Sequence, residues 1–131
     1  MNNMVAAVRK VLSNYATFTG RASRPEFWWW ILAVFLATLA AQAVDAILIG
    51  PILGFDFGDE SAGQPVSLLL SLAIFLPALA VGARRLHDMG KSGWWLLIGF
   101  VPIVGVLVLL WFYTQPSEGP NAWGAPDPLI A

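Results

Sequence analysis

The chain has 131 residues, of which 58% are hydrophobic and 11% charged, and it contains no cysteine. Ordinary soluble domains carry about a quarter charged residues; this composition excludes disorder, and the missing cysteines exclude a disulfide scaffold, thiol catalysis and a cysteine-ligated metal. Seven Lys and Arg against eight Asp and Glu leave no basic surplus for nucleic acid, and a mean hydropathy of +0.71 points to a small all-α membrane protein.

Residues 1–20 read as an amphipathic helix. Met4, Val5, Val8, Val11, Leu12, Tyr15 and Phe18 share one face, and Asn2, Asn3, Arg9, Lys10, Ser13, Asn14 and Thr17 take the other. Such a helix either lies flat in the inner headgroup layer or packs on the helical bundle. Ser23 and Glu26 then have capping-box spacing, with Pro25 in the first turn, so a helix starts here.

Three apolar runs follow, at 27–49, 66–83 and 94–113. Crossing a bilayer takes about 20 residues, and a lone run inside lipid has to be helical. Residues 21–113 are therefore expected to form a three-helix transmembrane domain. Asp45 is the one ionisable residue inside a run, about 6 Å from its outer end at the rise of a helix. It is hydrated, protonated or hydrogen-bonded, with Gln42 one turn away, and stands as a candidate intramembrane site. The following loop carries Asp56, Asp59 and Glu60 without the spacing of a calcium loop. Pro77 and Pro102 are expected to kink the second and third helices. Arg84 and Arg85 suit the carboxyl end of the second; Gly90 can stop it and Ser92 can start the third. Trp28, Trp29, Trp30, Trp94 and Trp95 form an inner aromatic belt, with Trp111, Phe112 and Tyr113 at the outer face. Ala33, Ala37 and Ala41, with Ser67 and Ser71, have the small-residue spacing of helix contacts, which suggests a homo-oligomer or another membrane protein as partner.

Charge sets the orientation. Arg9, Lys10, Arg21 and Arg24 precede the first run, and Arg84, Arg85 and Lys91 separate the second from the third. The positive-inside rule places all seven in the cytoplasm, with the amino terminus inside and residues 114–131 as an extracytoplasmic tail. Against Glu26 and Asp88 the seven cations leave +5 inside, while Asp56, Asp59, Glu60, Glu118 and Asp127 give −5 outside.

The stretch RRLHDMGKSGWW (84–95) is the densest in polar residues. Asp88 is in helical reach of Arg84 and Arg85, and His87 is the chain's one histidine, the residue type suited to sensing or moving protons. It reads as an ion-paired turn that anchors two helices and meets anionic headgroups. No nucleophile with its base lies nearby, so no enzyme and no catalytic residue are expected. Gly90-Lys91-Ser92 is not a phosphate loop, because Arg85 stands where that motif needs a glycine. One histidine without cysteines offers no zinc site, and no cofactor is expected.

YATFTGRASRPEFWWW (15–30) together with the 84–95 stretch resembles the domain of unknown function 805 family, small bacterial inner-membrane proteins. The resemblance rests on Tyr15, Phe18, Gly20, Arg21, Ser23, Arg24, Glu26, Phe27 and Trp28. It continues through Arg84, Arg85, Leu86, His87, Asp88, Gly90, Ser92, Gly93, Trp94 and Trp95, then Pro102, Gly105, Asn121 and Gly124. Met89, Trp123 and Gly119-Pro120 depart from the family pattern. The resemblance implies the inner membrane and supplies no reaction. It marks Arg21, Ser23, Arg24, Glu26, Trp28, Arg84, Arg85, His87, Asp88, Ser92, Trp94 and Trp95 as a cytoplasmic motif, in which Glu26 is expected to pair with Arg84 or Arg85. The expected function is a non-enzymatic scaffold, regulatory or lipid-interacting module with a basic cytoplasmic face. The alternative is a subunit of a small oligomeric transporter or channel using Asp45 and the kinked helices.

Overall fold

The computed structural model describes residues 2–56, 59, 61 and 63–124 of the protein. Glu60 and Asp127, two of the expected outer acids, lie outside these residues. The chain divides into two compact units, residues 1–31 with 76–131, and residues 32–75.

The first helix, α1, spans Asn2–Ser13. Its apolar stripe is split lengthwise: Ala7 and Val11 are fully buried, while Val5 and Leu12 remain nearly half exposed. One edge therefore packs on protein and the other is open. Lys10 ties the helix to Glu26 at 3.5 Å.

The second helix, α2, starts at Arg24 and runs to Val44. Ser23 Oγ accepts the Glu26 N–H at 3.4 Å, and Pro25 has no N–H to leave unpaired in the first turn. The helix continues through a π-helical stretch, Asp45–Ile49, into Gly50–Ile52. The Gly50 N–H donates five residues back to the Asp45 carbonyl, and Pro51 has no N–H with which to continue an α-helical ladder.

The third helix, α3, spans Pro65–Asp88 and passes through Pro77 without interruption. Its end is set by Gly90 at φ +75. The Gly90 N–H donates to His87 O at 3.0 Å and the Lys91 N–H to Leu86 O at 2.8 Å, the paired bonds that close a helix around a left-handed glycine. α2 with its extension (29 residues) and α3 (24 residues) are the helices among the described residues long and apolar enough to cross a membrane.

The third apolar run does not form a spanning helix. Gly93–Phe100 is a 3₁₀-helix, the chain reverses at 101–103, and α4 runs back over Val104–Tyr113. Eight residues at the 3₁₀ rise reach about 16 Å, and ten at the α-helical rise about 15 Å, against a hydrocarbon core of about 30 Å. At the reversal the Val104 N–H donates to Pro102 O at 2.7 Å across Ile103, held at φ 66, ψ −66, a γ-turn rarely adopted by L-residues. Gly105 makes the close approach of the limbs possible, since a Cβ there would lie 1.6 Å from the Ile98 carbonyl oxygen. Pro102 thus marks a reversal and not a kink.

This corrects two further expectations. Tyr113 is not at the opposite face from the tryptophans of α2, because Trp28 Nε1 donates to its carbonyl at 3.0 Å and its ring lies 4.2 Å from that of Phe27. The segment after it bonds to Arg21 and Asp88, so residues 114–124 lie beside the motif residues of the expected cytoplasmic side.

Candidate functional site

Two helix carboxyl termini, those of α3 and α4, meet the arginines at 21, 24 and 85. The last carbonyls of a helix have no intrahelical partner and form the negative pole of its dipole. Arg21 donates to the Asp88 carbonyl and to Asp88 Oδ1, both at 3.0 Å. Arg85 donates to Asp88 Oδ2 at 2.6 Å and to Tyr113 O at 3.3 Å, and also bonds Gln115 O. Arg24 donates to Thr114 O at 3.1 Å. Arg84 meets Glu26 at 2.7 Å, so the acid at the amino end of α2, where the dipole favours it, pairs with Arg84 rather than Arg85.

Arg21, Arg84, Arg85, Glu26 and Asp88 are each no more than 6% exposed. Burying three guanidiniums against two carboxylates would leave an uncompensated cation. The two helix carboxyl poles, worth about half a negative charge each, offset part of it. The cluster is therefore a knot of charges and main-chain dipoles.

Residues 114–124 form a strap over this knot. Arg21 donates to Gly119 O and Gly124 O, each at 2.9 Å, and also bonds Glu118 O. Ser117 Oγ donates to Asp88 Oδ2 at 2.5 Å, and the Glu118 N–H to Asp88 O at 2.8 Å. Asn121 Nδ2 donates to His87 O at 3.0 Å. The His87 ring stacks on Trp123, centroids 4.7 Å apart and 7° from parallel, with Nδ1 2.9 Å from Gly20 O. Asn121 and Gly124 exchange backbone bonds of 3.0 Å in a tight turn.

The motif residues separate into two groups. Arg21, Ser23, Glu26, Arg84, Arg85, His87 and Asp88 are buried, and Trp28 reaches Tyr113 from a half-buried position. Arg84 and Arg85 are consequently not the headgroup contacts expected of them, since a buried, paired guanidinium offers nothing to a lipid. Arg24, Trp94 and Trp95 are exposed, Ser92 caps the 3₁₀-helix through a 3.2 Å bond to the Trp94 N–H, and Lys91 lies 5.7 Å over the Phe112 ring. Sequence reasoning missed the strap. Asn121 with Gly124 was its one local signal; the carbonyls it presents leave no trace in residue type.

Asp45 is elsewhere and does other work. Its carboxylate accepts the Val66 N–H at 2.9 Å, the Ser67 N–H at 2.8 Å and the Ser67 hydroxyl at 2.8 Å. It is 4% exposed and caps the first turn of α3 from the preceding helix. Among the described residues its hydrogen-bond partners are thus Val66 and Ser67, not Gln42. Near it in the chain, Asp59 accepts the Ser61 N–H and hydroxyl at 2.9 and 2.6 Å. These bonds hold its carboxyl below the usual carboxylate range and shape a turn.

Long apolar helices joined to a buried polar knot define a small helical membrane protein. The family model described as "Protein of unknown function (DUF805)" matches residues 15–125, and the chain belongs to that family. The chain is similar to Inner membrane protein YhaI of Escherichia coli K12, with 44% identity over 117 residues, 87% of this chain and 88% of that protein. It is similar also to Inner membrane protein YhaH of the same strain, with 37% identity over 124 residues, 92% of this chain and 94% of that protein. No solved structure matches the chain at a significant level. The chain is a bacterial inner-membrane protein.

Proposed function

We propose that this protein is a non-enzymatic scaffold or lipid-interacting module, whose arginine knot is the structural core of a head at the cytoplasmic leaflet. The observation that carries the reading is the burial of Arg21, Arg84 and Arg85 against Glu26, Asp88 and main-chain carbonyls. A reactive group must be open to substrate and near its base; these groups are closed off and paired with one another.

Orientation is supported by the cations, all of which lie before or at the start of α2, in the last turns of α3, or between α3 and the hairpin. Two crossings then leave the strap in the cytoplasm, where its lack of Lys and Arg follows from its use as an acceptor. The cations available to partners at the knot are Arg24 and Lys91, and anionic headgroups are the partner this chemistry favours.

Native mass spectrometry of protein released from membranes tests this. The expected result is retention of anionic phospholipid over zwitterionic lipid, reduced in Arg24→Gln/Lys91→Gln. Turnover of an added lipid, or ion flux in liposomes abolished by Asp45→Asn, would overturn the reading in favour of catalysis or transport.

A further inference from the structure

The open edge of α1 is the surface left unexplained by the knot. Met4, Val5, Val8, Arg9 and Leu12 line a shallow groove along it. Val5 and Leu12 are 46% and 48% exposed, and beyond the helix Tyr15 and Phe18 are 40% and 41% exposed. The opposite edge of the stripe, at Ala7 and Val11, is fully buried. The helix is thus fixed to the protein and still presents a row of large apolar side chains outward.

Charge identifies the occupant. α1 contains Arg9 and Lys10 and no acid, and the first acid in the chain is Glu26. Lys10 is turned inward to that acid, whereas Arg9 is exposed beside the apolar row. An apolar strip edged by a cation, in a chain whose first long apolar helix is separated from α1 by ten residues, fits the boundary between headgroups and acyl chains. A second copy of this chain would meet Arg9 with Arg9; an anionic bilayer meets it with phosphate.

We infer that α1 is an in-plane helix seated in the cytoplasmic leaflet, with Val5, Val8 and Leu12 among the acyl chains and Arg9 on anionic headgroups. The inference rests on the cytoplasmic placement of the head proposed above. Because the protein has no cysteine, single cysteines at Val5, Leu12 and Ser13 can each carry an environment-sensitive fluorophore. The labelled proteins are reconstituted in vesicles of phosphatidylethanolamine with or without phosphatidylglycerol.

The expected result is blue-shifted emission from Val5→Cys and Leu12→Cys, quenched by shallow spin-labelled lipid and protected from aqueous iodide. Ser13→Cys, on the polar face, stays open to iodide. The added substitution Arg9→Glu is expected to reverse the shift in phosphatidylglycerol vesicles. Iodide access at Val5→Cys and Leu12→Cys equal to that at Ser13→Cys would overturn the inference. So would energy transfer between labelled copies at these positions, which would assign the edge to self-association. Anionic-lipid retention left unchanged by Arg24→Gln/Lys91→Gln, with the α1 probes still buried, would instead strike only the head reading.

Discussion

Arg84 is the residue on which the knot is most exposed to single substitutions. Its Nη1 meets Glu26 at 2.7 Å, while its Nε and Nη2 are buried without a hydrogen-bond partner. Removing Glu26 therefore strands a buried cation, and removing Arg84 strands most of the charge opposite it. Breaking one side of such a pair costs about 3–5 kcal/mol. Glu26→Ala and Arg84→Ala are each expected to destabilise by that order, and the double variant by at least about 1 kcal/mol less than their sum. Thermal unfolding of the four proteins in detergent measures the coupling, and additive losses would refute a direct pair. Arg21 makes a different use of the same group. Its planar fork addresses Asp88 and strap carbonyls together, which the point charge of a lysine cannot do.

Among the elements, the hairpin formed by the 3₁₀-helix and α4 depends on its glycines to unequal degrees. A Cβ on Gly105 meets main-chain atoms, Ile98 O at 1.6 Å and Ile98 C at 2.7 Å, whereas one on Gly99 meets only the end of the Leu109 side chain at 3.3 Å. Gly105→Ala is therefore expected to part the limbs and cost about 3 kcal/mol or more, with Gly99→Ala well below 1 kcal/mol. Melting temperatures in one detergent compare them directly, and equal effects would contradict the close approach. The hairpin also shows where sequence reasoning reaches its limit. Hydropathy located α2 and α3, and the starts at Ser23 and Ser92 and the stop at Gly90 fell where local hydrogen bonds put them, because those signals lie within a few residues of their effect. Residues 94–113 have the composition of a spanning helix whether straight or folded back. Pro102 and Gly105 carried the difference, and it became legible only once Ile98 was known to lie against Gly105. Asp45 repeats the point, since a cap contributed by another helix has no spacing rule.

At the scale of the whole molecule, the hairpin decides where the chain emerges. With the proposed orientation, Glu118 joins Glu26 and Asp88 on the head side, and the seven cations leave a net +4 there among the described residues. Cysteines placed singly at Ser61 and Pro120 test the topology with a membrane-impermeant maleimide. Ser61→Cys is expected to react in intact spheroplasts and Pro120→Cys only after the membrane is opened. Labelling of Pro120→Cys in intact spheroplasts would restore three crossings.

The strap has a temporal consequence as well. Its carbonyls belong to residues 114–124, which leave the ribosome after both long apolar helices and the hairpin. Until they arrive, Arg21 has Asp88 as its acceptor but not the strap carbonyls, and Arg85 lacks Gln115. The head therefore cannot lock while the chain is being inserted. Closure of the knot around Arg21 therefore follows the emergence of both long apolar helices and the hairpin.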